Sequence, residues 1–128
     1  MKFILMPFVA WITSGSLKFI INTIRFGRKA RKLIGYGGFP STHTTILSAT
    51  VFLCGFSEGF NAPIFSLGIA MLIIIMFDAH GMRRKLNIGH TWLEIFAGLL
   101  LGIFLAYAMN IISNEEARLC QNLWEKYC

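Results

Sequence analysis

Acid is scarce in this chain. Only 6 of its 128 residues are Asp or Glu, against 12 Lys or Arg, and charged residues of both signs make up 14% while hydrophobic residues make up 55%. That balance excludes a disordered polypeptide and is foreign to soluble domains of this size. Cysteine is sparse too. The 3 cysteines form no Cys-x-x-Cys pair and no Cys/His zinc spacing, which removes a disulfide framework and a structural zinc site. Cys54 lies inside an apolar run and reads as a small hydrophobe, whereas Cys120 and Cys128 stand in the C-terminal tail, where spacing leaves their pairing open. The net charge of +6 lacks a basic, aromatic face outside the apolar runs, so nucleic acid is not the expected partner.

What the chain does have is long apolar blocks, and 128 residues leave room for one domain. The first block runs from Met1 to Ile24. Lys2, an apolar stretch and the small residues Ser14-Gly15-Ser16 give it the outline of a signal peptide, but apolar character resumes at Leu17 and the full stretch is long enough to be a retained span. A cationic run follows (Arg25, Arg28, Lys29, Arg31, Lys32), then the breaker-rich Gly35-Tyr36-Gly37-Gly38-Phe39-Pro40. Ser41 or Thr42 is the predicted N-cap of a second, shorter span through Phe56. The turn at 57–63 leads to a third span from Ile64 to Phe77, and a second basic cluster at 78–85 precedes a fourth span from His90 to about Ile112. Gly98 and Gly102 in that span are a small-xxx-small pair, a signature of close helix packing.

Ser113, followed three residues later by Glu116, has a capping-box pattern and predicts a separate short helix with an apolar stripe of Leu119, Cys120, Leu123, Trp124 and Tyr127. The expected fold is therefore all-α: an integral membrane bundle of about four transmembrane helices over 1–113 plus a short amphipathic C-terminal helix over 114–128.

Four alternating spans put the 25–45 and 78–90 loops on one side of the membrane. That side carries Arg25, Arg28, Lys29, Arg31, Lys32, Arg83, Arg84 and Lys85, and the positive-inside rule makes it cytoplasmic. The expected location is a bacterial inner membrane with this face inward. The same topology gathers His43, His80, His90, Asp78 and Glu94 there, and ionisable residues at span ends are a functional signal by default.

Three groups of residues stand out. Lys18 and Arg25 are two helical turns apart on one stripe of the first helix. Pro40-Ser41-Thr42-His43 opens the second span, where a helix N-terminus offers backbone N–H groups to an anion. Arg84, His90 and Glu94 form the third, with His90 and Glu94 on one helical face. Together they supply what phosphoryl transfer from an ester needs. Lys18, Arg25, Arg84 and the Ser41–Thr42 turn can hold the phosphoryl oxygens. His90 can attack phosphorus while Glu94 fixes its tautomer, and His43 can protonate the leaving oxygen. No metal or other cofactor is required. His80 and Asp78 read as structural or supporting residues, and Trp11, Trp92 and Tyr107 as interface or packing aromatics.

Lys18-x6-Arg25, Pro40-Ser41-Thr42-His43 and Arg84-x5-His90-x3-Glu94, with Gly37-Gly38-Phe39-Pro40 and Asp78-Ala79-His80-Gly81-Met82-Arg83-Arg84 around them, resemble the three-part signature of the type-2 phosphatidic acid phosphatase superfamily, in its small divergent branch. The resemblance implies a metal-independent phosphatase working through a phosphohistidine, with His90 as nucleophile, Glu94 in place of the usual orienting aspartate, His43 as leaving-group acid, and Lys18, Arg25, Ser41 and Arg84 as phosphate ligands. The pattern departs from that superfamily at Phe26, Thr42, Arg83 and Glu94, and the short loop before Gly89 leaves Arg83 and Arg84 as alternatives for one ligand. The implied partner besides the membrane is a phosphorylated lipid, of the phosphatidic acid, phosphatidylglycerophosphate or polyprenyl-phosphate class. The usual six-helix core of the superfamily raises a homodimer that completes the bundle. Two rivals from other classes use the same residues: a non-catalytic lipid-phosphate-binding or assembly subunit, and a lipid or anion transporter.

Overall fold

The computed structural model describes residues 1–27, 38–81 and 89–127. They form α1 (Lys2–Phe26), α2 (Thr42–Glu58), α3 (Pro63–His80) and α4 (Trp92–Tyr127), with no strand among the described residues. The chain is an all-α membrane bundle. α1, α3 and most of α4 are long and apolar enough to cross a bilayer. α2 has 17 residues, or ~26 Å at helical rise, slightly less than a hydrocarbon core.

The short helix is the central one. α2 buries Thr44, Thr45, Ser48, Ala49, Val51, Leu53 and Gly55, and it packs against all three others. Its boundaries follow from sequence. Ser41 is extended before the first turn, and Gly59, at φ 96°, takes a conformation that side chains disfavour and ends the helix with its N–H on the Gly55 carbonyl. α3 then starts with Pro63 in its first turn, where the missing N–H costs nothing.

Glycines set the closeness of packing. A Cβ on Gly102 would lie 1.8 Å from Ser48 Oγ and 2.7 Å from the Thr45 carbonyl oxygen, and one on Gly98 would lie 2.5 Å from the Ser41 carbonyl oxygen. The small-xxx-small pair is thus the seam between α4 and α2. α1 contributes Met6 and Ala10 to a core shared with Ala49, Leu53 and Ala106, so the N-terminal block packs as a member of the bundle.

Contacts at the two ends fix the alternation of direction. At one end Ser41 N–H donates to the Glu94 carbonyl (2.9 Å) and His90 N–H to the Ala79 carbonyl (2.9 Å). At the other, Lys2 Nζ and Ser57 Oγ both donate to Asn110 Oδ1, at 3.4 and 3.3 Å. α1 therefore runs toward the first end, α2 away, α3 toward it and α4 away.

The tail differs from expectation. It is helical, but no separate helix begins at Ser113: α4 continues unbroken to Tyr127. A capping box starts a helix only where the preceding backbone has left one. Residues 107–112 contain neither Gly nor Pro, so the helix already running carries straight through Ser113.

Candidate active site at the basic end of the bundle

The site is built on the first turn of α4. Thr91 N–H donates to Glu94 Oε2 (2.8 Å) and Glu94 N–H reaches Thr91 Oγ1 (3.4 Å), a reciprocal capping box that starts the helix. The same Glu94 Oε2 accepts from His90 Nδ1 at 3.2 Å. A carboxylate only accepts, so Nδ1 carries the proton and the lone pair lies on Nε2. The helix cap thus sets the tautomer of the histidine beside it.

The His90 backbone is fixed from both sides by the end of α3. Its N–H donates to the Ala79 carbonyl, and its carbonyl accepts from His80 Nδ1 at 3.3 Å. The His80 ring stacks on Trp92 with centroids 4.4 Å apart, and Phe77 meets the same indole edge-on. His90 itself is buried. Burial holds its imidazole below the ordinary histidine range, and the nearby Lys18 ammonium adds to this. The Glu94 charge and hydrogen bond pull the other way, and His43 lowers it further. A neutral ring with a free Nε2 is the nucleophilic form.

Lys18 reaches the site from α1, half-buried, with its Cε packed against the backbone of Gly38. A Cβ there would come within 3.1 Å of Lys18 Cε, and Gly38 is at φ 145°. The 38–40 segment thus leans directly on the α1 stripe. His43 projects from the exposed side of the first turn of α2, near enough for its charge to act on His90. The first-turn N–H groups of α2 have no carbonyl four residues back within the helix, as at any helix start.

Ser41, Thr42 and Arg25 stand at the same end of the bundle and differ in exposure. Ser41 is fully buried: its N–H is committed to Glu94, its carbonyl to Thr45, and its Oγ accepts from Thr44 Oγ1. It is the joint between α2 and α4. Thr42 is half-buried beside it, and Arg25 is exposed in the last turn of α1. Arg83 and Arg84 lie outside the described residues.

The structure thus brings Lys18, His43, His90 and Glu94 to one end of the bundle. A family profile described as the Divergent PAP2 family matches residues 1–88. The chain belongs to that family. The match takes in Lys18, Arg25, Pro40-Ser41-Thr42-His43 and the 78–84 segment, and it stops just short of His90 and Glu94. No curated protein and no solved structure matches the chain. For a member of the divergent PAP2 family, the pairing of His90 with Glu94 therefore stands on its own geometry. Sequence reasoning read His80 as structural or supporting without foreseeing its bond to the His90 carbonyl, and it passed over Asn22, buried one turn beyond Lys18 on α1.

Proposed function

We propose that this divergent PAP2 protein is a membrane lipid phosphatase, hydrolysing a phosphomonoester or diphosphate of a lipid through a phosphohistidine. The observation that carries the proposal is the buried His90, its Nδ1 bound to Glu94 Oε2 at 3.2 Å, within electrostatic reach of Lys18 and His43. His90 Nε2 attacks phosphorus, the P–O bond to the lipid alcohol breaks, and His43 gives its proton to the departing oxygen. Lys18, Arg25, the first turn of α2 with Thr42, and Arg84 or Arg83 offset the charge on the phosphoryl oxygens. Water then attacks phosphorus and gives a proton to His43, the P–Nε2 bond breaks, and inorganic phosphate leaves with the His90 ring restored. Side-chain cations meet the charge demand, so the reaction proceeds without metal. The lipid is of the phosphatidic acid, phosphatidylglycerophosphate or polyprenyl-phosphate class, and the charge bias of the loops turns the site to the cytoplasmic face of a bacterial inner membrane.

Protein purified in detergent is expected to release phosphate from a panel of these lipids in the presence of chelator. His90→Ala should abolish release, and acid quenching should trap labelled phosphate on the wild type but not on the variant. One observation favours a second reading, a non-catalytic lipid-phosphate-binding subunit: Glu94 also caps α4, which gives the pair a structural reason to exist. Lipid-phosphate binding without turnover on any substrate would establish that alternative.

A further inference from the structure

Seven polar or charged side chains are buried among the described residues: Ser14, Asn22, Ser41, Thr44, Thr45, Ser48 and His90. Six of them have partners. Ser14 returns to the Trp11 carbonyl, Thr44 donates to Ser41, Thr45 and Ser48 bond to carbonyls of their own helix, and His90 holds Glu94. Asn22 has no hydrogen bond to any described residue, although only 8% of it is exposed. An amide that makes no bond within the bundle is not there to hold helices together, and nothing in helix formation asks for Asn there.

Its position supplies a reason. Asn22 follows Lys18 by one turn, so the two side chains are neighbours on one face of α1, and it stands ~6 Å nearer the basic end of the bundle. A Cβ on Gly38 would lie 3.1 Å from Lys18 Cε and 3.6 Å from both Asn22 Nδ2 and Oδ1, which puts the amide in the angle between α1 and the segment that leads into α2. No fully enclosed side-chain N or O lacks a partner among the described residues. The Asn22 amide, without one, therefore keeps an open edge.

We infer that Asn22 is a phosphate-contacting residue, donating an Nδ2–H to an oxygen of the phosphoryl group that Lys18 holds. It supplies a neutral donor between two cations, Lys18 one turn deeper and Arg25 nearly one turn farther out. Neutral amides bind a phosphate oxygen without adding charge to a buried site, and they direct it by geometry. The inference rests on the phosphate site proposed above, but not on turnover there.

The test is inorganic phosphate binding to the purified full chain in detergent, followed by titration calorimetry, for the wild type, Asn22→Leu and Asn22→Asp. Leu nearly fills the same space and removes the donor. Phosphate affinity should fall about tenfold or more, while the thermal midpoint holds or rises because an unpartnered amide has been removed. Asp keeps the shape, reverses one donor and adds negative charge, so it should weaken binding further. Wild-type affinity in either variant, or no phosphate binding by the wild type, overturns the inference, and the Asp variant decides the matter if the Leu variant does not fold. Asn22-dependent binding without hydrolysis of any lipid would sink the phosphatase reading and leave this assignment standing. Hydrolysis with phosphate binding indifferent to Asn22 would do the reverse.

Discussion

At the scale of single residues, the proposed chemistry turns on how His90 is held neutral. Burial and the Lys18 charge depress its pKa, and Glu94 raises it. In the proposed reaction the nucleophile is the unprotonated ring, so kcat/KM should fall as pH drops through that depressed value. Two substitutions then move the acid limb in opposite directions. Lys18→Met removes a positive neighbour that disfavours the imidazolium, so the limb shifts to higher pH. Glu94→Gln removes the carboxylate that favours it, so the limb shifts to lower pH, with the rate itself down by on the order of 10²–10⁴ because the tautomer is no longer enforced. Histidine ring NMR titration reads the same shifts without turnover, and limbs moving in the same direction would contradict this electrostatic account.

His80 makes a complementary case. His80→Phe keeps a ring on Trp92 but loses the bond to the His90 carbonyl, and kcat should fall by about tenfold with little change in thermal midpoint. Asn at 80 carries an amide N–H close to the place of Nδ1 and should restore much of the rate. The His90–Glu94 pair was legible in the sequence because helical periodicity alone brings residues four apart together. The His80 contact was not, because it is made across a loop by two helix ends whose meeting depends on tertiary packing.

At the scale of elements, the same four-residue pattern occurs twice on α4 and acts once. Thr91-x-x-Glu94 follows the Gly89 loop and starts the helix, while Ser113-x-x-Glu116 falls where the helix is already running and starts nothing. A local motif specifies a boundary only when the backbone before it is free to depart, which is why the tail was misread and the site helix was not. Glycine spacing was a better guide, since it reports directly on how near another backbone comes. Gly102→Ala gains helix propensity but drives a methyl into Ser48 Oγ, the Thr45 carbonyl and the Ala49 nitrogen. Two of those three are backbone atoms that cannot rotate away, so the overpacking cost wins. The variant should lose about 1–3 kcal/mol in detergent unfolding assays. Gly15→Ala, which meets nothing within 4 Å, should be neutral or stabilising, and equal behaviour of the two would show that α2 and α4 are not in close contact.

At the scale of the whole molecule, alternation of spans is what made the grouping of histidines foreseeable: once the helices reverse at each turn, His43, His80 and His90 fall at one end of the bundle. A helical wheel puts Arg25 on the α1 stripe of Lys18 but gives no depth along the axis, and in the structure Lys18 is half-buried and Arg25 exposed. The continuous α4 adds a consequence for orientation. Asn110 marks the far end of the bundle through Lys2 and Ser57, and Cys120, exposed with a free thiol, lies ten residues beyond it, or ~15 Å along the helix. With the basic face inward, that thiol stands outside. In a variant retaining only this cysteine (Cys54→Ser, Cys128→Ser), a membrane-impermeant maleimide should label Cys120 in spheroplasts, where the outer face of the inner membrane is open to the reagent. A cysteine introduced at Thr42 should react only in inverted vesicles. The reverse pattern would place the candidate site on the outer face, in contact with lipids of the opposite leaflet.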